Sequence, residues 1–269
     1  MRDEAWKTSI TKVEPNKLTL RGYKIDELMG AVTFPQVVFL TIKGELPDER
    51  TAKMLDTMLV SSVDHGVTPP SCITARTIAS TGSPLNAALA GGILAISRHH
   101  GGAIEDAMRM LLDAVDKKRA AGTTTPETAM AVVKEAGEKK KRLPGIGHRI
   151  HTNDPRTPRL FQIASDLGFA GEYVEMAKAL ADAVEQNSGK HLPINVDGAI
   201  AALLCEMEFS PQLANAFFMM ARIPGLVAHI YEEQTTMRPM RHIDTKKHEY
   251  AGAEGKTVPV EKTLARSGK

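Results

Sequence analysis

Pro158-Arg159-Leu160-Phe161-Gln162-Ile163-Ala164-Ser165-Asp166-Leu167-Gly168 carries the clearest structural signal in the chain. Leu160, Ile163, Ala164 and Leu167 recur at i, i+3, i+4 and i+7, the spacing that lines one face of an α-helix, and Gly168 supplies a stop. Immediately downstream, Tyr173, Met176, Ala177, Leu180 and Val184 repeat the pattern. Upstream, Ile25, Leu28 and Met29 follow Gly22 at helical spacing, Pro35 opens a segment to about Ile42 that Gly44 ends, and Asp48 precedes Met54, Leu55, Met58 and Leu59. Ser83-Pro84 predicts a cap and first-turn proline for a helix to about Ser97. Thr125-Pro126 repeats that signal, and Ser210-Pro211 opens a helix to about Ala221. Only the stretch from Thr8 to Leu20 alternates, around a turn at Pro15-Asn16, which predicts a small hairpin. The fold class expected is therefore mainly α, with little sheet.

Composition narrows the function. The 269 residues suffice for a sizeable core in one large domain or two small ones. Basic and acidic side chains nearly balance, 34 against 32, giving no reason to expect a polyanion partner. Aromatic residues are scarce (Phe 7, Tyr 4, Trp 1), which argues against a base-stacking nucleic-acid platform and weakly against an all-β fold. Two cysteines, Cys72 and Cys205, exclude a disulfide framework and a cysteine-based zinc site, and suit buried thiols in a reducing compartment. The N-terminal Met1–Lys7 stretch has acids and no apolar core, so it does not read as a secretory signal. The longest apolar stretch, Ala87 to Ile96, is too short to cross a bilayer. A cytoplasmic chain without membrane contact is expected.

Five short stretches between helices collect the polar chemistry: Asp64-His65-Gly66, His99 to Ala103, Pro144-Gly145-Ile146-Gly147-His148-Arg149, Asn195 to Gly198, and Arg222-Ile223-Pro224-Gly225. His100 stands before two glycines at a helix entrance, where the dipole favours a neutral ring that can donate a hydrogen bond; a capping or core histidine is the plainer alternative. The Pro144–Gly147 loop follows the basic run Lys139-Lys140-Lys141-Arg142 and could lay backbone amides along a phosphorylated ligand, although a solvated helix end explains the lysines as well. Asp197 opens an apolar helix. By residue type it reads first as that helix's N-cap, and second as a carboxylate made more basic beside an apolar wall. Arg156, Arg222 and Arg238 are candidates for bidentate carboxylate recognition. No nucleophile constellation is present, and His99, His100, His148, His151 and His242 lack metal-ligand spacing with carboxylates. Histidine, aspartate and arginine remain, a set suited to proton transfer beside a carbonyl on an anionic substrate.

In order and spacing, these motifs resemble the citrate synthase superfamily along nearly the whole chain. The residues that carry the resemblance are Arg21-Gly22-Tyr23 with Ile25-Asp26-Glu27-Leu28, Lys43-Gly44-Glu45-Leu46-Pro47, His100-Gly101-Gly102-Ala103, Gly145-Ile146-Gly147-His148-Arg149, Asp154-Pro155-Arg156, Pro193-Ile194-Asn195-Val196-Asp197, Arg222 with Gly225 and His229, and Arg238-Pro239. Two departures point within the superfamily. Pro47 and Asp64 are nearly adjacent where citrate synthases carry a long helical insertion, and Pro69 stands where they usually have asparagine. Both departures are similar to the citryl-CoA lyases and to the citryl-CoA-cleaving domain of ATP-citrate lyase, although His100 keeps the citrate synthase pattern.

The resemblance implies a two-domain helical fold with a small N-terminal hairpin. Residues 1–101 and 206–269 would form the large domain, and 102–205 a small mobile domain that closes over it. It implies cleavage of citryl-CoA to acetyl-CoA and oxaloacetate, with a CoA thioester as substrate and no metal. His148 would take the hydroxyl proton, His100 would hydrogen-bond the developing enolate, and protonated Asp197 would deliver a proton to carbon. His65, Arg156, Arg222 and Arg238 would hold carboxylates, Arg238 across a subunit interface, so a dimer or tetramer is implied. Pro144, Gly145, Ile146 and Gly147 would bind CoA. Two alternatives use the same residues: a short citrate synthase-like or 2-methylcitrate synthase-like enzyme that condenses an acyl-CoA with oxaloacetate, and a non-catalytic CoA-binding paralogue.

Overall fold

Residues 6–147 and 154–257 are described in this computed structural model. His148, Arg149 and His151 lie outside the described residues. The chain starts with β1 (Thr11–Glu14) and β2 (Lys17–Leu20), paired antiparallel with Val13 opposite Leu18. The turn falls at Pro15-Asn16, and Asn16 takes the left-handed conformation (φ 58°) that asparagine tolerates. A third, two-residue strand, β3 (Tyr23–Lys24), extends this sheet beyond the hairpin expected. Arg21 ties the sheet to the helices by donating from Nε and Nη2 to the Thr41 carbonyl, at 3.0 and 2.8 Å.

Helices follow: α1 (Ile25–Leu28), α2 (Phe34–Lys43), α3 (Glu49–Ser61), α4 (Pro70–Ser80), α5 (Leu85–Leu94), α6 (Ala103–Ala121), α7 (Thr125–Glu138), α8 (Arg156–Leu167), α9 (Glu172–Ser188), α10 (Val196–Glu206) and α11 (Ala214–Thr236), the last entered through a 3₁₀ turn at Pro211–Leu213. Several start and stop signals act as read. Asp48 caps α3 by accepting from the Thr51 amide at 2.7 Å, and Gly44 and Gly168 end α2 and α8 with φ of 94° and 79°.

Others are shifted. The Ser83 hydroxyl lies 3.1 Å from that of Thr81 instead of capping α5, whose N-cap position is Pro84. That helix stops at Leu94, short of Ser97, because the Ser97 amide and carbonyl are taken up in a turn with His100 and Gly102. Helix α7 is capped by Thr124, one residue before the threonine expected, through a reciprocal capping box with Glu127. Arg222-Ile223-Pro224-Gly225 is not an inter-helix stretch, and the helix expected to end near Ala221 runs on to Thr236. An internal proline costs a helix about 3 kcal/mol. Here burial of Ala221, Arg222, Gly225, Leu226 and Ile230 on both sides of Pro224 holds the helix together.

Among the described residues, two apolar clusters make the interior. The larger gathers α2, α3 and α6 to α10 with the first half of α11, around Leu55, Ile104, Met108, Leu111, Leu180 and Leu203. The smaller joins α4, α5 and the second half of α11 through Cys72, Ala75, Ala79, Ala88, Leu226 and Ile230. Helix α11 serves both, and Ile93 touches both. Together with its leading turn, Pro211–Thr236 has the length and apolarity of a membrane span by composition alone; its apolar side forms core here, and Arg222 and Glu233 are buried on it. Cys72 and Cys205 are buried free thiols, and burial pushes the Cys205 thiol up to about 12.

Candidate active site

The end of α3 organises the site. Arg156 Nη1 donates to the Ser61 carbonyl at 3.4 Å and Arg222 Nε to the Ser62 carbonyl at 3.1 Å. A helix C-terminus presents unpaired carbonyls and partial negative charge, which suits two guanidinium groups. Arg222 is only 2% exposed and lies over the Phe218 ring at 4.7 Å. Burial lowers its pKa, opposed by the charges of Asp64 and Asp197.

His100 sits in the turn between α5 and α6. Its amide and carbonyl pair with Ser97, its Nε2 lies 2.8 Å from the Ser71 hydroxyl of α4, and its ring meets Phe218 edge-on at 5.6 Å. Gly101 makes this turn possible: at φ +77° a Cβ there would lie 2.6 Å from the Phe218 ring. Burial, with the Arg222 and His65 charges, lowers the His100 pKa to about 4, so its ring is neutral near pH 7.

Asp197 is not the N-cap of α10. Asn195 takes that position, accepting from the Gly198 amide at 3.1 Å, which leaves the Asp197 carboxyl with no hydrogen-bond partner among the described residues. Burial pushes Asp197 up to about 6, against the pull of Arg156 and Arg222 and with a further push from Asp154. The Pro144–Gly147 loop is locked onto the same helix entrance. The Asn195 amide donates to the Gly145 carbonyl at 3.0 Å and Asn195 Nδ2 to the Gly147 carbonyl at 2.7 Å. Gly145 and Gly198 meet backbone to backbone, and a Cβ on Gly198 would lie 2.4 Å from the Gly145 carbonyl oxygen.

A cavity of about 900 Å³ opens beside these residues, lined among others by Arg98, Lys141, Arg142, Ile146, Gly147 and Asp197. The basic run therefore ends at the cavity. Pro144 and Gly145 do not line this cavity, and the Gly147 amide already donates to the Pro193 carbonyl at 2.7 Å. His65 is half-buried in a turn that Asp64 anchors: Asp64 accepts from the Gly66 amide at 2.9 Å and lies 3.1 Å from His229 Nε2. The close approach of Gly225 to this turn, where a Cβ would lie 2.3 Å from the Val63 carbonyl oxygen, explains a glycine inside α11. Arg238 stands apart from the hydrogen bonds and ion pairs of the described residues, exposed just past the end of α11. No group of three or more His, Cys, Asp or Glu with metal-binding geometry occurs among the described residues. Neither Ser71, whose partner is 29 positions away, nor the reach of Asp154 to α10 carries a local sequence signal.

The family described as citrate synthase, C-terminal domain, matches residues 47–242. The chain belongs to the citrate synthase family. Within that family it is similar to a solved citryl-CoA lyase from Hydrogenobacter thermophilus, at 44% identity and a TM-score of 0.87, over 95% of this chain and 98% of that one. It is 29% identical over 240 residues to ATP-citrate synthase beta chain protein 1 of Arabidopsis thaliana, covering 82% of this chain and 36% of that protein. It is 34% identical over 197 residues to putative citrate synthase 2 of Mycobacterium tuberculosis, covering 71% of this chain and 50% of that protein. The chain thus spans between about a third and a half of the curated relatives it matches. The two-domain, mainly helical fold with a small N-terminal sheet is that of the citrate synthase family.

Proposed function

We propose that this chain cleaves citryl-CoA to acetyl-CoA and oxaloacetate. The observation that carries the reading is the pairing of a neutral, Ser71-held His100 with an Asp197 whose pKa is raised to about 6, both beside Arg222. The likeness to a citryl-CoA lyase over nearly both whole chains supports it.

In this reaction a base removes the tertiary hydroxyl proton of citryl-CoA, and His148 is assigned that role by family resemblance. The carbon–carbon bond then breaks, leaving oxaloacetate and the enolate of acetyl-CoA. In the tautomer that carries the ring's proton on Nδ1, the Ser71 hydroxyl donates to His100 Nε2 and Nδ1–H faces the thioester oxygen as negative charge develops there. Asp197, when protonated, returns a proton to the terminal carbon. His65, Arg156 and Arg222 hold carboxylates. The cations that line the cavity, Arg98, Lys141, Arg142 and Lys190, suit the phosphates of CoA. Arg238, exposed and without a partner among the described residues, is assigned to the site of a second copy in a dimer or tetramer. Helices α6, α7, α9 and α10, which pack on one another, make up most of the smaller domain, 102–205, with 1–101 and 206–269 as the larger. The two free thiols suit a cytoplasmic setting.

The test is to give the purified protein citryl-CoA, and separately acetyl-CoA with oxaloacetate. Rapid release of oxaloacetate from the first with negligible citrate from the second supports the lyase. Steady citrate formation would instead favour the synthase reading, and binding without turnover the paralogue.

A further inference from the structure

We propose that Asp154 is a positioning residue for this reaction, a single buried carboxylate that sets where Arg156 stands relative to Asp197. The proposal rests on the citryl-CoA reading. Asp154 is fully buried at the turn before α8. Its Oδ1 accepts from the backbone amide and Nε of Arg156, at 3.1 and 2.9 Å. Its Oδ2 accepts from Arg156 Nη2 at 2.8 Å and from the Val196 amide at 3.2 Å. Val196 immediately precedes Asp197, so one carboxylate joins the start of α8 to the start of α10 across 42 positions of sequence. Four donors fill the acceptor capacity of a carboxylate. Burial alone would push Asp154 up, but the hydrogen bonds and charge of Arg156 outweigh it and hold it below the usual carboxylate range.

The arrangement does two things for Asp197. It fixes the guanidinium fork that is to grip a substrate carboxylate, within the tolerance that a reacting geometry requires. It also neutralises Arg156, so that a cation can stand near Asp197 without stripping its proton. Among the described residues, the charged and titratable groups around Asp197 are Arg156 and Asp154 at the start of α8, Arg222 from α11, and Arg98, His99, Lys141, Arg142 and Lys190 along the same cavity. Asp154 is the one anion in that set. Without it the charges that the described residues place around Asp197 are all positive.

The experiment is a ¹³C NMR titration of the Asp197 carboxyl in the unliganded protein, assigned with Asp197→Asn, in wild type, Asp154→Asn and Asp154→Glu. It is run beside the pH dependence of kcat/KM for citryl-CoA cleavage. In Asp154→Asn the Asp197 midpoint is expected to fall by about one pH unit, and the alkaline limb of kcat/KM with it. Asp154→Glu keeps the anion but misplaces the fork, so its midpoint stays while KM for citryl-CoA rises several-fold. An unmoved midpoint in Asp154→Asn overturns the electrostatic half, and a wild-type KM in Asp154→Glu overturns the positioning half. Should Asp154→Asn not fold, the KM of Asp154→Glu still decides the positioning that the proposal states. If wild type does not turn over citryl-CoA, the reaction reading fails, while the titration still answers for Asp154.

Discussion

Replacing Asp197 by asparagine separates its chemical role from its structural cost, because the two change in opposite directions. Burial moves its carboxyl from 3.8 to about 6. A shift of about 2 units corresponds to roughly 3 kcal/mol at 1.36 kcal/mol per unit. The folded-state value is the higher one, so the unfolded chain gives up this proton first as pH rises. The native state is therefore penalised above about pH 6, and the penalty vanishes below about pH 4. Asp197→Asn removes the ionisable group at nearly constant shape. It should unfold in urea with stability close to wild type at pH 4, and be more stable by up to about 3 kcal/mol at pH 8. Turnover should move the other way. At pH 7 a group with a pKa near 6 is still protonated in about one molecule in ten, against fewer than one in a thousand at its ordinary value. Loss of that acid should lower kcat for citryl-CoA cleavage by ~10²–10⁴-fold with little change in ligand affinity. Wild-type kcat/KM for cleavage should fall as pH rises through about 6, the limb of an acid that must hold its proton. An Asn variant that turns over normally, or whose stability difference from wild type is the same at pH 4 and pH 8, would refute the reasoning.

Other consequences can be checked as directly. Ser71→Ala removes the partner of His100 Nε2, and a hydrogen bond worth about 1 kcal/mol predicts a kcat about five-fold lower with KM nearly unchanged, measured by steady-state kinetics. Gly198→Ala drives a Cβ to 2.4 Å from the Gly145 carbonyl oxygen, so the 144–147 loop must shift; thermal unfolding should show lost stability, together with a raised KM for citryl-CoA. Glu206 accepts from the Tyr173 and Val174 amides at the start of α9, at 2.8 and 3.0 Å, so Glu206→Ala should cost about 1–2 kcal/mol in urea unfolding and leave kinetics alone. Lys141→Ala with Arg142→Ala should raise KM for the CoA thioester and flatten its salt dependence, whereas unchanged values would return the basic run to a solvated helix end.

Most of the helices were legible because their apolar residues recur on one face, as Leu160, Ile163, Ala164 and Leu167 do. Helix α4 was not, because its buried face is Ser71, Cys72, Ala75, Arg76, Ala79 and Ser80, small and polar residues that leave no apolar stripe. Arg76 is tolerated there by Glu233, at 2.7 Å, which also takes Arg241. The continuity of α11 was hidden by Pro224 and Gly225, residues that usually mark an interruption. Here the glycine serves close contact with the Asp64 turn. At the site, residue types in order pointed to His100, Asp197 and the arginines, but not to how they are held. Local preference assigned Asp197 to capping, and only the fold gives that task to Asn195. The partners that tune the site, Ser71 for His100 and Asp154 for both Arg156 and Val196, come from distant positions or reach across to another helix, where no local spacing rule applies.

Helix α11 has one more consequence. Its first half completes the larger apolar cluster and its second half completes the smaller, so neither can come apart while leaving a whole helix for the other. A molecule with two cores would ordinarily be free to melt in two stages. This one shares a structural member between them, and its calorimetric trace should be a single endotherm whose van't Hoff and calorimetric enthalpies agree.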